Sequence, residues 1–153
     1  MRNPFRRRRS TARRGAIIVE FALVVPLIML VVFGVIDFSR AYGQLNALNS
    51  ALREGSRYAS KVKNIQNYSY NTLVKTKVKE YANQYGFVGM DTSKVSVTLN
   101  VVNGTIEYIS VTATAHPIPL QTLGRFLGAP ALSVTRSAMF RYECAGMSVT
   151  QCF

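Results

Sequence analysis

The sequence has few of the side chains that enzymes use for acid–base, nucleophilic or metal chemistry. Among its 153 residues are one histidine, His116, and two cysteines, Cys144 and Cys152. A Cys-x7-Cys pair with a single histidine cannot complete a four-ligand zinc site. The chain also lacks a glycine-rich phosphate loop, a nucleotide fingerprint and any nucleophile or acid–base set around His116 in sequence. We therefore expect no enzyme activity, no cofactor and no small-molecule substrate, and a structural role for His116.

Acidic residues are also scarce, and the charges are unevenly distributed. Aspartate and glutamate number 7 against 19 lysines and arginines, and the first 15 residues contain seven arginines and no acid. Without those seven arginines, 12 basic residues face 7 acidic ones, so the rest of the chain is only mildly basic. Arginine runs can bind nucleic-acid phosphates, but insertion beside anionic lipid headgroups is the simpler explanation of a basic run before an apolar one. We expect no nucleic-acid partner.

One long apolar run, residues 16–36, dominates what the sequence does contain. Its 21 residues, with Glu20 as their single charge, would extend about 31 Å as a helix, which matches the roughly 30 Å hydrocarbon core of a bilayer. The preceding arginines place the N-terminus in the cytoplasm and the rest of the chain outside. The alternative is a cleaved secretory signal, whose apolar region of about 7–15 residues should end at a small-x-small site that this run lacks.

Two residues inside the run are unusual for a membrane helix. Glu20 lies about one turn from the cytoplasmic end, where it is either a functional carboxylate or a tolerated interfacial charge. Pro26 removes one backbone donor and predicts a helix kink. Residues 1–14 have no hydrophobic periodicity, which predicts a disordered cytoplasmic leader.

Residues 37–153 are enough for one small exterior domain. Helical periodicity continues over 37–61 and returns from residue 71 or 72 to 85, where Gly86 can end the second helix. The predicted buried faces of these two helices comprise Ala41, Leu45, Leu48, Leu52 and Ala59, and Leu73, Val74, Val78, Tyr81 and Ala82.

From Ser93 onward the apolar residues recur at every second position, as in half-buried strands. The dipeptide Asn103-Gly104 predicts a two-residue hairpin turn between strands 95–101 and 109–115, with Pro117 and Pro119 ending the second strand, and a third strand follows over 132–140. The predicted inward residues are Val95, Val97, Leu99, Val101, Ile109, Val111, Ala113, Ala115, Leu132, Val134, Ala138 and Phe140. The fold class is therefore α+β: an N-terminal transmembrane helix extended into two exterior helices against a three-stranded antiparallel sheet.

Both cysteines fall in the last ten residues of the chain. The predicted orientation places Cys144 and Cys152 in an oxidising compartment, so we expect a disulfide between them. Two free thiols in a reducing compartment are the alternative.

Several of these segments together resemble the TadE-like proteins, which are minor pilins, or pseudopilins, of tight-adherence type IV pilus systems. The resemblance is carried by Arg14-Gly15-Ala16, Glu20-Phe21, the apolar run with Pro26, Asp37-Phe38-Ser39-Arg40, and the block ALREGSRYAS at 51–60.

The resemblance implies that a prepilin peptidase of the bacterial inner membrane cuts after Gly15, so that Ala16 becomes the mature N-terminus. It also implies that Glu20 and Phe21 act in assembly and recognition, beside major and minor pilins, a secretion-type ATPase and an assembly platform. The chain would then comprise a leader (1–15), a transmembrane helix (16–36) and an exterior pilin-like domain (37–153). The alternative function is a single-pass membrane protein with an exterior binding or sensory domain that never enters a filament.

Overall fold

The computed structural model describes residues 9–62, 68–103, 105–122, 124, 127–128 and 131–143. In chain order its elements are helices α1 (Arg9–Lys61) and α2 (Tyr68–Gln84), a 3₁₀ turn (Thr92–Lys94), and strands β1 (Val95–Val102), β2 (Thr105–Pro119) and β3 (Ala131–Arg141). The strands form one antiparallel sheet in the order β1-β2-β3. The predicted α+β class, with a long N-terminal helix, a second helix and a three-stranded antiparallel sheet, is confirmed.

Helix α1 joins the apolar run and the following amphipathic segment in one helix of 53 residues. It begins at Arg9, so the prediction of an irregular leader is wrong for residues 9–14. An existing helix extends at little cost through arginine and alanine, which are good helix formers. Pro26 lies inside the helix and does not end it, and the kink there stays a prediction.

From Ala41 onward, α1 packs against α2 and the sheet. We refer to α1 from Asp37, α2 and the sheet together as the globular part. The predicted α1 stripe is confirmed: Ala41, Leu48, Leu52 and Ala59 are buried, and Leu45 is partly buried.

The two helices approach each other closely at Gly55, where an added Cβ would collide with Val78 Cγ2. The next residue, Ser56, is buried, and its hydroxyl donates a hydrogen bond of 2.9 Å to the carbonyl of Arg53. A serine can be buried on a helix in this way because its own backbone supplies the acceptor. Small side chains on α1 thus let α2 come close.

Helix α2 begins at Tyr68, earlier than predicted. Its buried row is Tyr70, Val74, Val78 and Ala82, and the predicted Tyr81 is partly buried. Leu73, predicted to be buried, is exposed. Successive helical residues are about 100° apart around the axis. When the buried row at four-residue spacing faces α1, Leu73 therefore lies to one side of that row and is exposed.

Gly86 ends α2 as predicted. Its φ is +79°, and its N–H donates to the carbonyl of Asn83 at 3.1 Å, while the N–H of Phe87 donates to Ala82 at 2.8 Å. This pair of bonds is a Schellman motif, which favours glycine because its central residue is left-handed.

The predicted hairpin turn is confirmed. Val102 pairs with Thr105, which leaves a two-residue connection, and Asn103 has φ +52°. Asparagine tolerates the left-handed conformation that such turns require.

Strand β2 continues through Pro117 and Pro119, so the prediction that these prolines end it is wrong. Pairing with β1 extends only to Ala113, and both prolines lie beyond that point, paired with β3 alone. A proline lacks the backbone donor that an inner strand needs on both sides, but it is tolerated where one side has no partner strand.

A register shift in β2 changes which residues face the core. It lies between Ala113 and His116, and Ala115 there has φ +49°. The shift moves the alternation by one residue, so Ala115 is exposed and not buried as predicted, while His116 and Ile118 are buried. The irregular backbone is held by a hydrogen bond of 3.1 Å from the N–H of Ala115 to Thr135 Oγ1.

Strand β3 is less buried than predicted. Val134 and Ala138 are partly buried, but Leu132 and Phe140 are exposed, so those two predictions are wrong. β3 is an edge strand that pairs, among the described strands, only with β2.

Candidate assembly surface

The N-terminal half of α1, residues 15–36, projects from the globular part with its apolar side chains exposed. Its most apolar 18-residue window has a mean hydropathy of 2.9, and none of that window is buried. A helix that is apolar all round belongs in a protein core or in a membrane. The length and composition of this single helix indicate a membrane anchor.

The residues predicted for processing and assembly lie together at the start of this exposed half. Gly15, Ala16, Glu20 and Phe21 are all exposed, and a Cβ added at Gly15 would meet nothing within 4 Å. Because the helix is continuous here, Ala16 and Glu20 lie one turn apart on the same face. Within the described part of the chain, no hydrogen bond or ion pair reaches the Glu20 carboxylate. The roles of these residues stay predictions.

Asp37, at the end of the apolar half, makes a contact that sequence reasoning missed. Its carboxylate is buried and accepts hydrogen bonds from the Thr122 hydroxyl at 2.6 Å, the Thr122 N–H at 3.1 Å and the Gly124 N–H at 3.4 Å. Hydrogen bonds to an ionised acceptor are the strong ones. Asp37 therefore ties the segment between β2 and β3 to α1.

Gln44 makes a second connection two turns further along α1. Its Nε2 donates to the carbonyl of Gly86 at 2.9 Å, and its Oε1 accepts from the N–H of Val88 at 2.9 Å. Asp37 and Gln44 thus join α1 to two separate segments, one after β2 and one after α2. The apolar half consequently leaves the globular part in a fixed direction.

His116 has the structural role expected of it. It is buried, its Nε2 lies 3.2 Å from both the backbone nitrogen and the carbonyl oxygen of Asp91, and the Phe87 ring lies edge-on to it at 6.1 Å between centroids. Burial lowers its pKa from the ordinary value, because water no longer solvates the charged imidazolium. Neutral His116 therefore joins β2 to the start of the 3₁₀ turn.

Two further expectations concern metals and the disulfide. In the described residues, no group of three histidine, cysteine, aspartate or glutamate side chains could hold a metal ion. Cys144 and Cys152 lie outside the described residues, so their disulfide stays a prediction.

Comparison with known families identifies the segment that contains these features. Residues 15–57 match the family model described as TadE-like protein. The match begins at Gly15 and includes the apolar half of α1, Asp37 and Gly55. No curated protein and no solved structure matches the chain. The family match confirms, over residues 15–57, the resemblance to TadE-like proteins noted from the sequence.

Proposed function

We propose that the protein is a minor pilin, or pseudopilin, which takes part in pilus assembly by packing the apolar half of α1 against helices of other pilins. The leader 1–15 would be cytoplasmic and removed, residues 16–36 would span the bacterial inner membrane, and 37–153 would form the exterior domain. The observation that carries the proposal is Glu20, which is exposed on an apolar helix and has no ion-pair partner within the described residues.

The new N-terminus gives this carboxylate a partner. Cleavage after Gly15 would leave a free amine on Ala16, which is largely cationic at neutral pH. An unpaired charge is costly inside an apolar helix bundle. Glu20, one turn away, can pair with the amine of its own chain or with that of a neighbouring pilin. In the second case one ion pair sets the register between subunits.

Gly15 suits the processing step for two reasons. The bond after it lies inside a helix, so a peptidase has to open the helix locally before the backbone can enter its active site. Glycine is less favourable than alanine in a helix interior by about 0.8–1 kcal/mol, which makes that opening easier. The open space around Gly15 also leaves the backbone accessible.

The proposal is tested by Glu20→Gln, which keeps the size and polarity of the side chain and removes its charge. We expect the variant to be inserted and cut after Gly15, to co-purify poorly with its pilin partners and to reduce the number of pili. Glu54→Gln is the matched control on the same helix, because Glu54 lies in the globular part, 3.9 Å from Arg57. Unchanged partner recovery and piliation in Glu20→Gln would refute the ion-pair role.

Processing and topology have separate tests. N-terminal sequencing of the purified protein should begin at Ala16, and Gly15→Leu should block cleavage because a bulky side chain fills the place where the peptidase meets the backbone. A protein that keeps Met1 while the peptidase is active would favour the alternative of a membrane protein with a binding or sensory domain. A reporter that functions only outside the cytoplasm, fused after Phe153, should be active.

The predicted disulfide is tested by intact-mass analysis after alkylation without reductant. We expect Cys144 and Cys152 to remain unmodified, because closing a loop this short stabilises a domain by roughly 2–3 kcal/mol in the chain-entropy model. Two alkylated cysteines would show that the bond is absent.

A further inference from the structure

The globular part exposes an apolar surface beside the point where α1 leaves the apolar run. We call this surface the loop patch and define it by Phe38, Leu127 and Leu132. Phe38 is 73% exposed and Leu127 is 66% exposed. The three residues surround a groove of about 280 Å³, which is smaller than the roughly 300–1,000 Å³ of ordinary small-molecule pockets. A discrete small-molecule ligand is therefore a poor explanation for the patch.

The position of the groove along α1 gives its depth relative to a bilayer. Gly34 lines it together with Leu127, and Gly34 is half-buried although its neighbours in the apolar run are exposed. Gly34 lies two residues before the end of the run at Ile36, or about 3 Å along the helix axis. The groove runs along α1 from Gly34 to Ala41, so Leu127 lies beside α1 in the zone that begins where the predicted hydrocarbon core ends.

We propose that the loop patch contacts lipid in the leaflet nearer to residue 36, so that the globular part rests on the membrane through a second, apolar contact. The proposal depends on the membrane anchor in the proposed function, but not on pilus assembly. Continuity favours lipid as the occupant, because the patch extends the surface of the apolar run sideways at the depth where that run ends.

An aromatic pair on α1 supports this placement. Phe38 and Tyr42 are exposed and stack at 6.5 Å between ring centroids with an interplanar angle of 19°. Tyrosine, like tryptophan, is enriched where membrane helices enter the headgroup region, and Tyr42 supplies the polar tip of this pair. The pair lies within two turns beyond Ile36, which is the level expected for such an interfacial contact.

Asp37 holds the loop patch at this depth. Its hydrogen bonds to Thr122 and Gly124 attach the segment that follows β2 to the end of the apolar run, three residues before Leu127. The same bonds satisfy a carboxylate that is buried next to the hydrocarbon boundary, where an unpaired charge would be costly. One contact therefore serves both to position the loop and to shield the charge.

The sequence contains no tryptophan, so a single introduced tryptophan can report on lipid contact. We suggest Leu127→Trp in the full-length chain, reconstituted in vesicles of phosphatidylcholine and phosphatidylglycerol with or without brominated acyl chains, which quench nearby indoles. Met139→Trp is the matched control, since Met139 is 67% exposed and lines a different groove with Asn49 and Arg53. Those two residues lie about 20–25 Å beyond Ile36 along α1.

We expect Trp emission from Leu127→Trp to lie at shorter wavelength than that of the control and to be lost in brominated vesicles, while Met139→Trp keeps its emission. Leu132→Trp repeats the measurement from the other side of the groove if Leu127→Trp does not fold. Equal emission of patch and control variants in the two kinds of vesicle would overturn the proposal. A blue-shifted but unquenched signal that grows with protein density would also overturn it, because the occupant would then be a second copy of the chain.

A tryptophan within the apolar run separates failure of this inference from failure of the anchor. Phe33→Trp should be quenched by brominated acyl chains if residues 16–36 span the bilayer. Quenching at Phe33→Trp without quenching at the patch would refute the lipid contact alone. Absence of quenching at both would refute the membrane anchor and, with it, the proposed function.

Discussion

The two halves of α1 are parts of one continuous helix, yet they differ in which of their side chains are exposed. Over 15–36 the helix is apolar on every side and its side chains are exposed, whereas over 37–61 a single stripe is buried against α2 and the sheet. The backbone is the same in both halves, and the distribution of polar residues differs. An amphipathic half can fold against its own chain in water, while a half with no polar face needs apolar surroundings from outside the chain.

The halves also differ in how they accommodate close approach. In the globular part, Gly55 and Ala59 occupy positions where α2 comes near: an added Cβ at Gly55 would collide with Val78, and the hydroxyl of Tyr70 donates to the carbonyl of Ala59 at 2.9 Å. The apolar half carries large aliphatic side chains over most of its surface. Specific packing is therefore built into the globular half, while the apolar half leaves its large side chains exposed.

The same substitution in each half gives the sharpest test of this comparison. Leu52→Ala should lower the free energy of unfolding of the globular part by about 2–5 kcal/mol, because Leu52 is fully buried and its loss leaves a cavity. Leu27→Ala, in the apolar half, should leave that free energy within about 0.5 kcal/mol of the parent value. Urea titration of the full-length chain in detergent micelles measures both. Equal losses in the two variants would mean that the apolar half packs against the globular part.

The boundary between the halves is tested by Asp37→Asn. The amide keeps the shape of the carboxylate but loses the charge that strengthens the hydrogen bonds from Thr122, so we expect a loss of about 1.5–3 kcal/mol in unfolding free energy. Asp91→Asn is the control, because Asp91 is exposed and caps a short 3₁₀ turn, where asparagine and aspartate are about equally good. Equal stability of Asp37→Asn and the parent chain would show that the carboxylate carries little of the contact.

Substitution of alanine for two glycines of α1 should change the free energy of unfolding in opposite directions. At Gly55 the new methyl group collides with Val78, so we expect a loss of about 1–3 kcal/mol from overpacking. At Gly43, where an added Cβ meets nothing within 4 Å, alanine should stabilise the helix by about 0.5–1 kcal/mol. Urea titrations as above compare the two variants, and a gain at Gly55 would show that α2 moves aside freely.

The sequence predicts those features of the fold that depend on local chemistry. The helical stripe of α1, the glycine that ends α2 and the hairpin turn at Asn103 each follow from spacing or backbone preference over a few residues. The predictions that fail within the sheet depend on distant partners. Ala115 is exposed because a register shift against β3 reverses the alternation, and Leu132 is exposed on β3, which is an edge strand of the sheet.

The residues of the candidate site also fall into those that the sequence identifies and those whose contacts lie far along the chain. Glu20 could be selected from the sequence because a charge is conspicuous in an apolar run, whereas Gly15 and Ala16 follow from the resemblance to TadE-like proteins. Asp37 could not be assigned its contact, since Thr122 lies 85 residues further along the chain. The one available signal was a carboxylate directly after the apolar run, where a charge needs a partner if it is not in water.

The smallest expected effect concerns pH, and it should be confined to the globular part, where the single histidine lies. Burial lowers the pKa of His116 in the folded protein, whereas an unfolded chain has a histidine pKa of about 6.5. Below that pH the unfolded state therefore binds the proton more readily, and stability should fall as the pH falls from about 6.5 towards the lower folded pKa. Above about 6.5 His116 is neutral in both states, so its titration should leave stability constant there.

The charged groups near His116 keep this effect small and identifiable. Hydrogen bonds from Ser93 hold the pKa of Asp91 below its usual range, so that carboxylate stays ionised through the window and partly offsets the effect of burial on His116, whereas the Lys94 ammonium acts with burial. His116→Gln removes the titrating group, and its unfolding free energy should change less between pH 7.5 and pH 5.5 than that of the parent chain in urea titrations. Leu27→Ala is the matched control in the apolar half and should retain the parent pH dependence. If His116→Gln keeps the full pH dependence, another group of the globular part is responsible. Protonation of His116 would then not be the cause of the loss of stability at low pH.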